Sequence, residues 1–132
     1  MGQRQKDATN ANTDLPVLQR GKQVEKPWGY ELWFAHTDKY VGKLIFVKQE
    51  ARLSYQYHNK KDETLIVLKG LARFIVGNDT QGMMLKDGES IRIPPKCPHR
   101  IEAITDVTLV EVSTPEVNDV VRIEDDYGRE DK

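Results

Sequence analysis

The chain holds a single cysteine, Cys97, among 132 residues. An intrachain disulfide is therefore excluded, and one free thiol suits a reducing cytosol. Long apolar runs are missing too. The longest span about four residues, as in "LIVL", against the roughly 20 that a membrane-crossing helix requires. Neither charge dominates: 20 Lys and Arg against 21 Asp and Glu leave a net charge of −1, so no bulk field draws the chain to nucleic acid or a membrane surface. Basic residues are scattered, without the interleaved aromatics of a single-strand binder. The polar start "MGQRQKDATNANTD" lacks the apolar core of a secretory signal, and Lys6 stands where a myristoylation signal wants Ser or Thr. Together these absences describe a cytoplasmic, single-domain protein with neither nucleic acid nor membrane as partner.

No window of a dozen residues carries a 3.6-residue apolar period, so helices are not expected. What the chain does carry is short β-rich runs: "YELWFA", "YVGKLIFVKQ", "RLSYQYH", "ETLIVL", "LARFIVG", "GMMLK", "ESIRIP", "HRIEAI", "VTLVEVS" and "DVVRIE". Gly, Pro, Asn or Asp punctuates many of the gaps between them. In "LARFIVG", Leu71, Arg73 and Ile75 alternate with Ala72, Phe74 and Val76, a period of two. The expectation is an all-β antiparallel sandwich or barrel. Residues 1–20 have little to bury and read as a disordered arm; residues 21–132 read as one domain.

Chemistry concentrates in "YQYHNKKDETL". Gln56 and His58 are two apart on a strand and share a face. Glu63 opens the next run and returns beside them if the two strands pair. Alone, the triplet is either a ligand set or the polar edge of a hairpin. A second stretch, "GESIRIPPKCPH", runs through a glycine turn, a short strand and a proline loop to deliver His99 onto the following strand.

The two stretches together resemble the double motif of the cupin superfamily. Its first half is a glycine, five residues, His-x-His, three or four residues, Glu, six residues and a glycine. Here Gln56-Tyr57-His58 is followed by four residues, Glu63, six residues and Gly70. The second half is matched by Gly88, five residues, Pro94, Pro95, Lys96, two residues and His99. The departures are Glu50 and Lys96 where the motif has glycines, Gln56 for the first His, and Ala103 for the terminal Asn. The chain further resembles the type II phosphomannose isomerase domain. Gln in place of the first His, "VEKPWGYELW" near the start and "EDDYGR" near the end all point there. That domain usually forms the C-terminal half of bifunctional mannose-1-phosphate guanylyltransferase/isomerases. Nothing here corresponds to the nucleotidyltransferase half, so nucleotide-sugar synthesis is not expected.

The resemblance implies a cupin jelly-roll, a double-stranded antiparallel β-barrel, that interconverts mannose 6-phosphate and fructose 6-phosphate through an enediolate. It implies a divalent ion held by Gln56, His58, Glu63 and His99. That donor set suits zinc first, with manganese, cobalt or iron as alternatives. The base would be Glu63 or Glu111 in "TLVEVS", the latter facing either the barrel or solvent. Lys43, Arg100, Arg122 and Arg129 are the cations expected at the phosphate, each with a solvated surface charge as its alternative. One stretch departs from the family: where the isomerases carry a His-rich, Arg-containing sequence and then Glu-His-Trp, this chain has Lys60, Lys61, Thr64 and Leu65. Other readings are a non-catalytic sugar-binding or regulatory cupin, an isomerase for another sugar, and a dioxygenase, against which Gln56 argues. A homodimer formed through an exposed sheet edge is also expected. Cys97, His36 and the aromatics Trp28, Tyr30 and Trp33 read as structural or exposed.

Overall fold

The structure, a computed structural model, describes residues 15–130. Eleven strands follow in order: β1 (Lys22–Lys26), β2 (Gly29–His36), β3 (Val41–Val47), β4 (Tyr55–His58), β5 (Glu63–Lys69), β6 (Leu71–Val76), β7 (Met83–Lys86), β8 (Ser90–Ile93), β9 (His99–Ala103), β10 (Val107–Ser113) and β11 (Val120–Glu124). Among the described residues there is no helix. One sheet runs β1-β2-β3-β10-β5-β8 and the other β11-β4-β9-β6-β7. Every pairing is antiparallel, which is the expected double-stranded jelly-roll.

Strand β1 falls outside the runs legible in the sequence. Its "KQVEK" has one apolar residue, Val24, because it is an exposed edge with little to bury. Of the arm expected over residues 1–20, residues 1–14 lie outside the described part. Residues 15–20 are exposed and form no strand. The β5–β6 turn depends on Gly70, at φ 112°, where an added Cβ would sit 2.3 Å from the Asp106 carbonyl oxygen. No L side chain fits there.

The two sheets close over a core that includes Ile45, Val47, Leu65, Val67, Phe74, Ile101 and Leu109. Period-two alternation turns these side chains inward. Along three neighbouring strands the same inward face changes character. On β3 it runs Val47, Ile45, Lys43; on β10, Val107, Leu109, Glu111; on β5, Val67, Leu65, Glu63. Register sets Glu111 opposite Lys43 and Leu65, and Ser113 opposite Glu63. The barrel is packed with hydrocarbon at one end and lined with charge at the other.

Candidate metal centre and active site

At the charged end lies a cavity of about 350 Å³. Strand β4 carries Gln56 and His58 into it, β5 carries Glu63, and β9 carries His99, whose backbone pairs with Gln56. The Nε2 atom of His58 stands 3.0 Å from Oε2 of Glu63, and Nε2 of His99 stands 3.8 Å from the same oxygen. Donor atoms of all three residues lie within 4.8 Å of one another. All three side chains are at most 5% exposed.

Both imidazoles are oriented from behind. Nδ1 of His99 faces the Cys97 carbonyl oxygen at 2.9 Å, and Nδ1 of His58 faces that of Asp119 at 3.2 Å. A carbonyl only accepts, so each Nδ1 carries a hydrogen, and in the neutral imidazole each Nε2 then turns a lone pair into the cavity. His58 Nε2 and Glu63 Oε2 are buried with no hydrogen-bond partner. Two electron-rich atoms facing each other in a dry site are costly without a cation between them, and two imidazole nitrogens with a carboxylate suit a divalent transition metal. The residues present therefore fit the expected ion. Gln56 lines the same cavity, and its Oε1 accepts a 2.6 Å hydrogen bond from the buried Ser54 hydroxyl.

Titration behaviour follows from the surroundings. Burial is the largest influence on Glu63 and pushes it upward, but contact with His58 and the pull of Lys61 and the two histidines outweigh it, holding the carboxyl at about 2. Burial lowers His99 below the ordinary imidazole value, against the opposing pull of Glu63. The neutral ligand form is thereby favoured.

Glu111, for which the sequence left two orientations open, points inward and is 4% exposed. Burial and then the Glu63 charge raise its carboxyl above the usual range, although Lys61 and Lys43 oppose them. Lys61 Nζ is 2.8 Å from Glu111 Oε2, and both side chains are buried. Lys61 is the residue that sequence reasoning missed. Its neighbourhood "NKKD" looks like a solvated turn, yet Asp119 accepts the backbone N–H groups of Lys60 at 2.6 Å and Lys61 at 2.9 Å. That clamp turns one of the two lysines into the cavity. The only local signal is the substitution of the family's sequence at this point.

The four expected phosphate cations divide. Lys43 is buried, 3.6 Å from Glu31 and 4.1 Å above the Trp33 ring. Arg122, opposite Gln56 in the β4–β11 pairing, lines the cavity. Arg129 lines it too, held to Asp125 through bonds of 2.8 and 3.0 Å. Arg100 is different. It borders the cavity, but its place on β9 is one residue out of phase with His99 and Ile101, and its guanidinium binds the Leu53 carbonyl at 2.8 Å and approaches Asp126 at 3.7 Å. Alternation puts that group on the opposite face of the sheet, beside a second hollow lined by Tyr55, Asn78 and Glu124. Lys26 is a further cation in the wall of the main cavity. Leaving Arg100 aside, Lys26, Lys43, Lys61, Arg122 and Arg129 face Glu31, Glu63 and Glu111, so the cavity favours an anion.

Trp28 belongs to the core, and Trp33 donates to Glu31 at 2.9 Å beneath Lys43. His36 is exposed, edge-on to Trp33. Cys97 packs partly against the core. No described helix is long and apolar enough to cross a membrane.

Comparison with known proteins gives two kinds of match. The family model described as "Mannose-6-phosphate isomerase C-terminal" covers residues 14–125. Mannose-1-phosphate guanylyltransferase ManC of Salmonella typhimurium is 35% identical over 113 residues, 82% of this chain and 23% of that protein. Alginate biosynthesis protein AlgA of Pseudomonas aeruginosa is 33% identical over 112 residues, 81% of this chain and 23% of that one. The chain thus spans about a quarter of the length of these relatives. Among solved structures, an RmlC-like cupin from Shewanella frigidimarina aligns with TM-score 0.66 at 15% identity, covering 80% of this chain and 94% of that one. A protein from Planctomyces limnophilus aligns with TM-score 0.65 at 21% identity, covering 83% and 96%. These likenesses show the cupin fold.

Proposed function

This chain belongs to the mannose-6-phosphate isomerase C-terminal family, and from that premise we propose that it is a metal-dependent sugar-phosphate isomerase interconverting mannose 6-phosphate and fructose 6-phosphate. The observation that carries the reading is the buried convergence of His58, Glu63 and His99 in a cavity where cations outnumber carboxylates.

His58, Glu63 and His99 would hold the ion, with the Gln56 amide as a fourth donor. When bound, such an ion supplies Lewis-acid stabilisation of negative charge developing on the sugar oxygens. Proton movement falls to the protein. In this reading Glu111 takes the proton from C2 of the open-chain aldose and returns it to C1, while the carbonyl passes from C1 to C2 as O2 loses its proton and O1 gains one. A carboxyl raised by burial is a stronger base than one in water, as this step requires. Lys61, in contact with Glu111, orients that carboxylate and donates toward the same floor of the cavity. Arg122 and Arg129 at the wall, with Lys43 and Lys26, offer charge to the phosphate; the arginines suit bidentate contact. The apolar packing below the site keeps bulk water from the enediolate.

The deciding experiment loads the protein with zinc or manganese, adds mannose 6-phosphate in heavy water, and follows C2 deuteration and fructose 6-phosphate by NMR. Turnover that is lost in Glu111→Gln while the metal is retained supports the reading. Silence in protein shown to hold its ion removes it, and the same assay on other aldose phosphates then tests whether the departure at Lys60–Leu65 has changed the sugar.

A further inference from the structure

Past β11 the chain makes one tight turn through Asp125, Asp126, Tyr127 and Gly128 before reaching Arg129. Gly128 takes φ 74°, a conformation that suits glycine, and its N–H donates to the Asp125 carbonyl at 3.2 Å. The turn is pinned from both sides. On one side the Asp126 carboxylate accepts from Arg52 Nε at 2.7 Å and Nη2 at 2.9 Å. On the other, the Asp125 side chain is fully buried. Its Oδ2 accepts the backbone N–H of Arg129 at 2.7 Å and the Arg129 Nε–H at 2.8 Å, while its Oδ1 accepts from Nη2 at 3.0 Å. One carboxylate thus fixes both the main chain and the side chain of Arg129.

A guanidinium can grip a pair of oxygens along more than one edge. Asp125 occupies the Nε–Nη2 edge of Arg129. Nη1 and the second hydrogen of Nη2 form another edge, and among the described residues nothing bonds to it. Arg129 lines the main cavity. Two other cations there are differently placed: Lys61 Nζ is tied to Glu111, and Lys43 Nζ lies beside Glu31 over the Trp33 ring. An ammonium also offers a point charge where a guanidinium offers a fork.

We propose, resting on the sugar-phosphate reading of the cavity, that Asp125 is a positioning residue: it holds Arg129 so that the open edge of the guanidinium receives a phosphoryl group. That group then lies at the wall formed by residues 125–129. Charge alone argues the other way. A carboxylate beside the arginine cancels part of its attraction for an anion, and contact with Arg129 keeps the Asp125 carboxyl below the usual range and therefore ionised. What Asp125 supplies is order. An arginine loose in the wall must give up rotamer freedom on binding, whereas one gripped along another edge has given it up during folding. The two effects have opposite signs, which makes them separable.

The test uses the full chain and inorganic phosphate, so it requires no turnover of a sugar. Phosphate is titrated by NMR into the parent chain, Asp125→Asn and Arg129→Lys, matched in metal content, with folding checked by far-UV circular dichroism. Asp125→Asn keeps the side chain's shape and removes a negative charge, yet its phosphate Kd should rise roughly two- to tenfold, as expected when one long side chain must be ordered. Arg129→Lys keeps the charge, lacks the fork, and should also bind phosphate more weakly. A third reading needs no buried substitution. The Arg129 Nε–H resonance of the parent chain, identified by its absence in Arg129→Lys, should be protected from exchange beforehand and shift during the titration. With mannose 6-phosphate as substrate, Asp125→Asn should raise KM more than it lowers kcat. An unchanged or lower Kd in Asp125→Asn, an Arg129 signal indifferent to phosphate, or a parent chain that binds no phosphate would each overturn the proposal. The expected phosphate responses without turnover of any aldose phosphate would remove the isomerase reading and leave this site standing.

Discussion

Replacing Glu50 and Lys96 by glycine should stabilise this protein. The two residues occupy motif positions where the cupin pattern has glycines, and they keep the glycine backbone, with φ of 71° and 66°. An L residue in the left-handed region costs about 1–2 kcal/mol. Glycine removes that cost but adds freedom to the unfolded chain worth about 0.5–1 kcal/mol, leaving a net gain of roughly 0.5–1 kcal/mol per site. Nothing opposes the gain. Both side chains are exposed and make no hydrogen bond or ion pair with a described residue. The backbone bonds, Glu50 N–H to the Ala103 carbonyl at 2.8 Å and Lys96 N–H to the His58 carbonyl at 2.6 Å, survive in glycine. The sites lie on different loops, so the effects should add to about 1–2 kcal/mol. For a domain of this length that is a rise in Tm of roughly 4–7 °C. Thermal and urea unfolding of each single variant and the double measure it, with Glu50→Ala and Lys96→Ala as controls that retain the Cβ. Glycine variants no more stable than their alanine counterparts would show that these loops carry no such strain.

Metal binding should be visible as stability. Zinc at 100 times its Kd should add about 2.7 kcal/mol, and His58→Ala or His99→Ala should abolish the shift in a thermal scan. Lys61→Met should cost about 3–5 kcal/mol by leaving Glu111 buried and uncompensated, and the double variant Lys61→Met/Glu111→Leu should recover much of that in chemical denaturation. Glu111→Gln should lower isomerase turnover by roughly 100-fold or more while zinc content by mass spectrometry stays unchanged. Acid should destabilise the metal-free protein in two stages. His99 is depressed below 6.5, so the unfolded chain takes up its proton first and stability falls as pH drops through that range. Glu63, folded at about 2 against 4.5, contributes stability present above 4.5 and lost as pH falls toward 2. A Glu63→Gln variant should lose the second stage in pH-dependent urea midpoints. Glu111, raised rather than lowered, acts in the opposite sense and only above 4.5, where the folded protein takes up its proton first.

Much of this molecule is legible because strands write their pattern locally. Period-two alternation and turn residues mark most of the strands, and motif spacing alone brings His58, Glu63 and His99 together. The failures are equally physical. β1 is an edge whose charged side chains meet water, so it leaves almost no apolar trace. Arg100 adjoins His99 in sequence and borders the cavity, but one step along a strand reverses the face, so parity sets its guanidinium on the other side of the sheet. Lys61 is hidden for another reason: its burial depends on Asp119, 58 residues away, and no local window holds both partners of that clamp.

The switch along β3, β5 and β10 from hydrocarbon to charge has a bearing on how such a barrel can change over generations. The charged inward positions lie at one end of strands whose other inward positions do the packing, so Lys43, Glu63 and Glu111 can be exchanged for other polar residues while Ile45, Leu65 and Leu109 hold the vessel shut. Length is the opposite case. One residue inserted between Glu63 and Leu65 would rotate the carboxylate out of the bowl or the leucine out of the core. These strands are thus open to point substitution and closed to insertion, and new specificities are reachable by exchanging letters at the rim, with the loops absorbing any change in chain length.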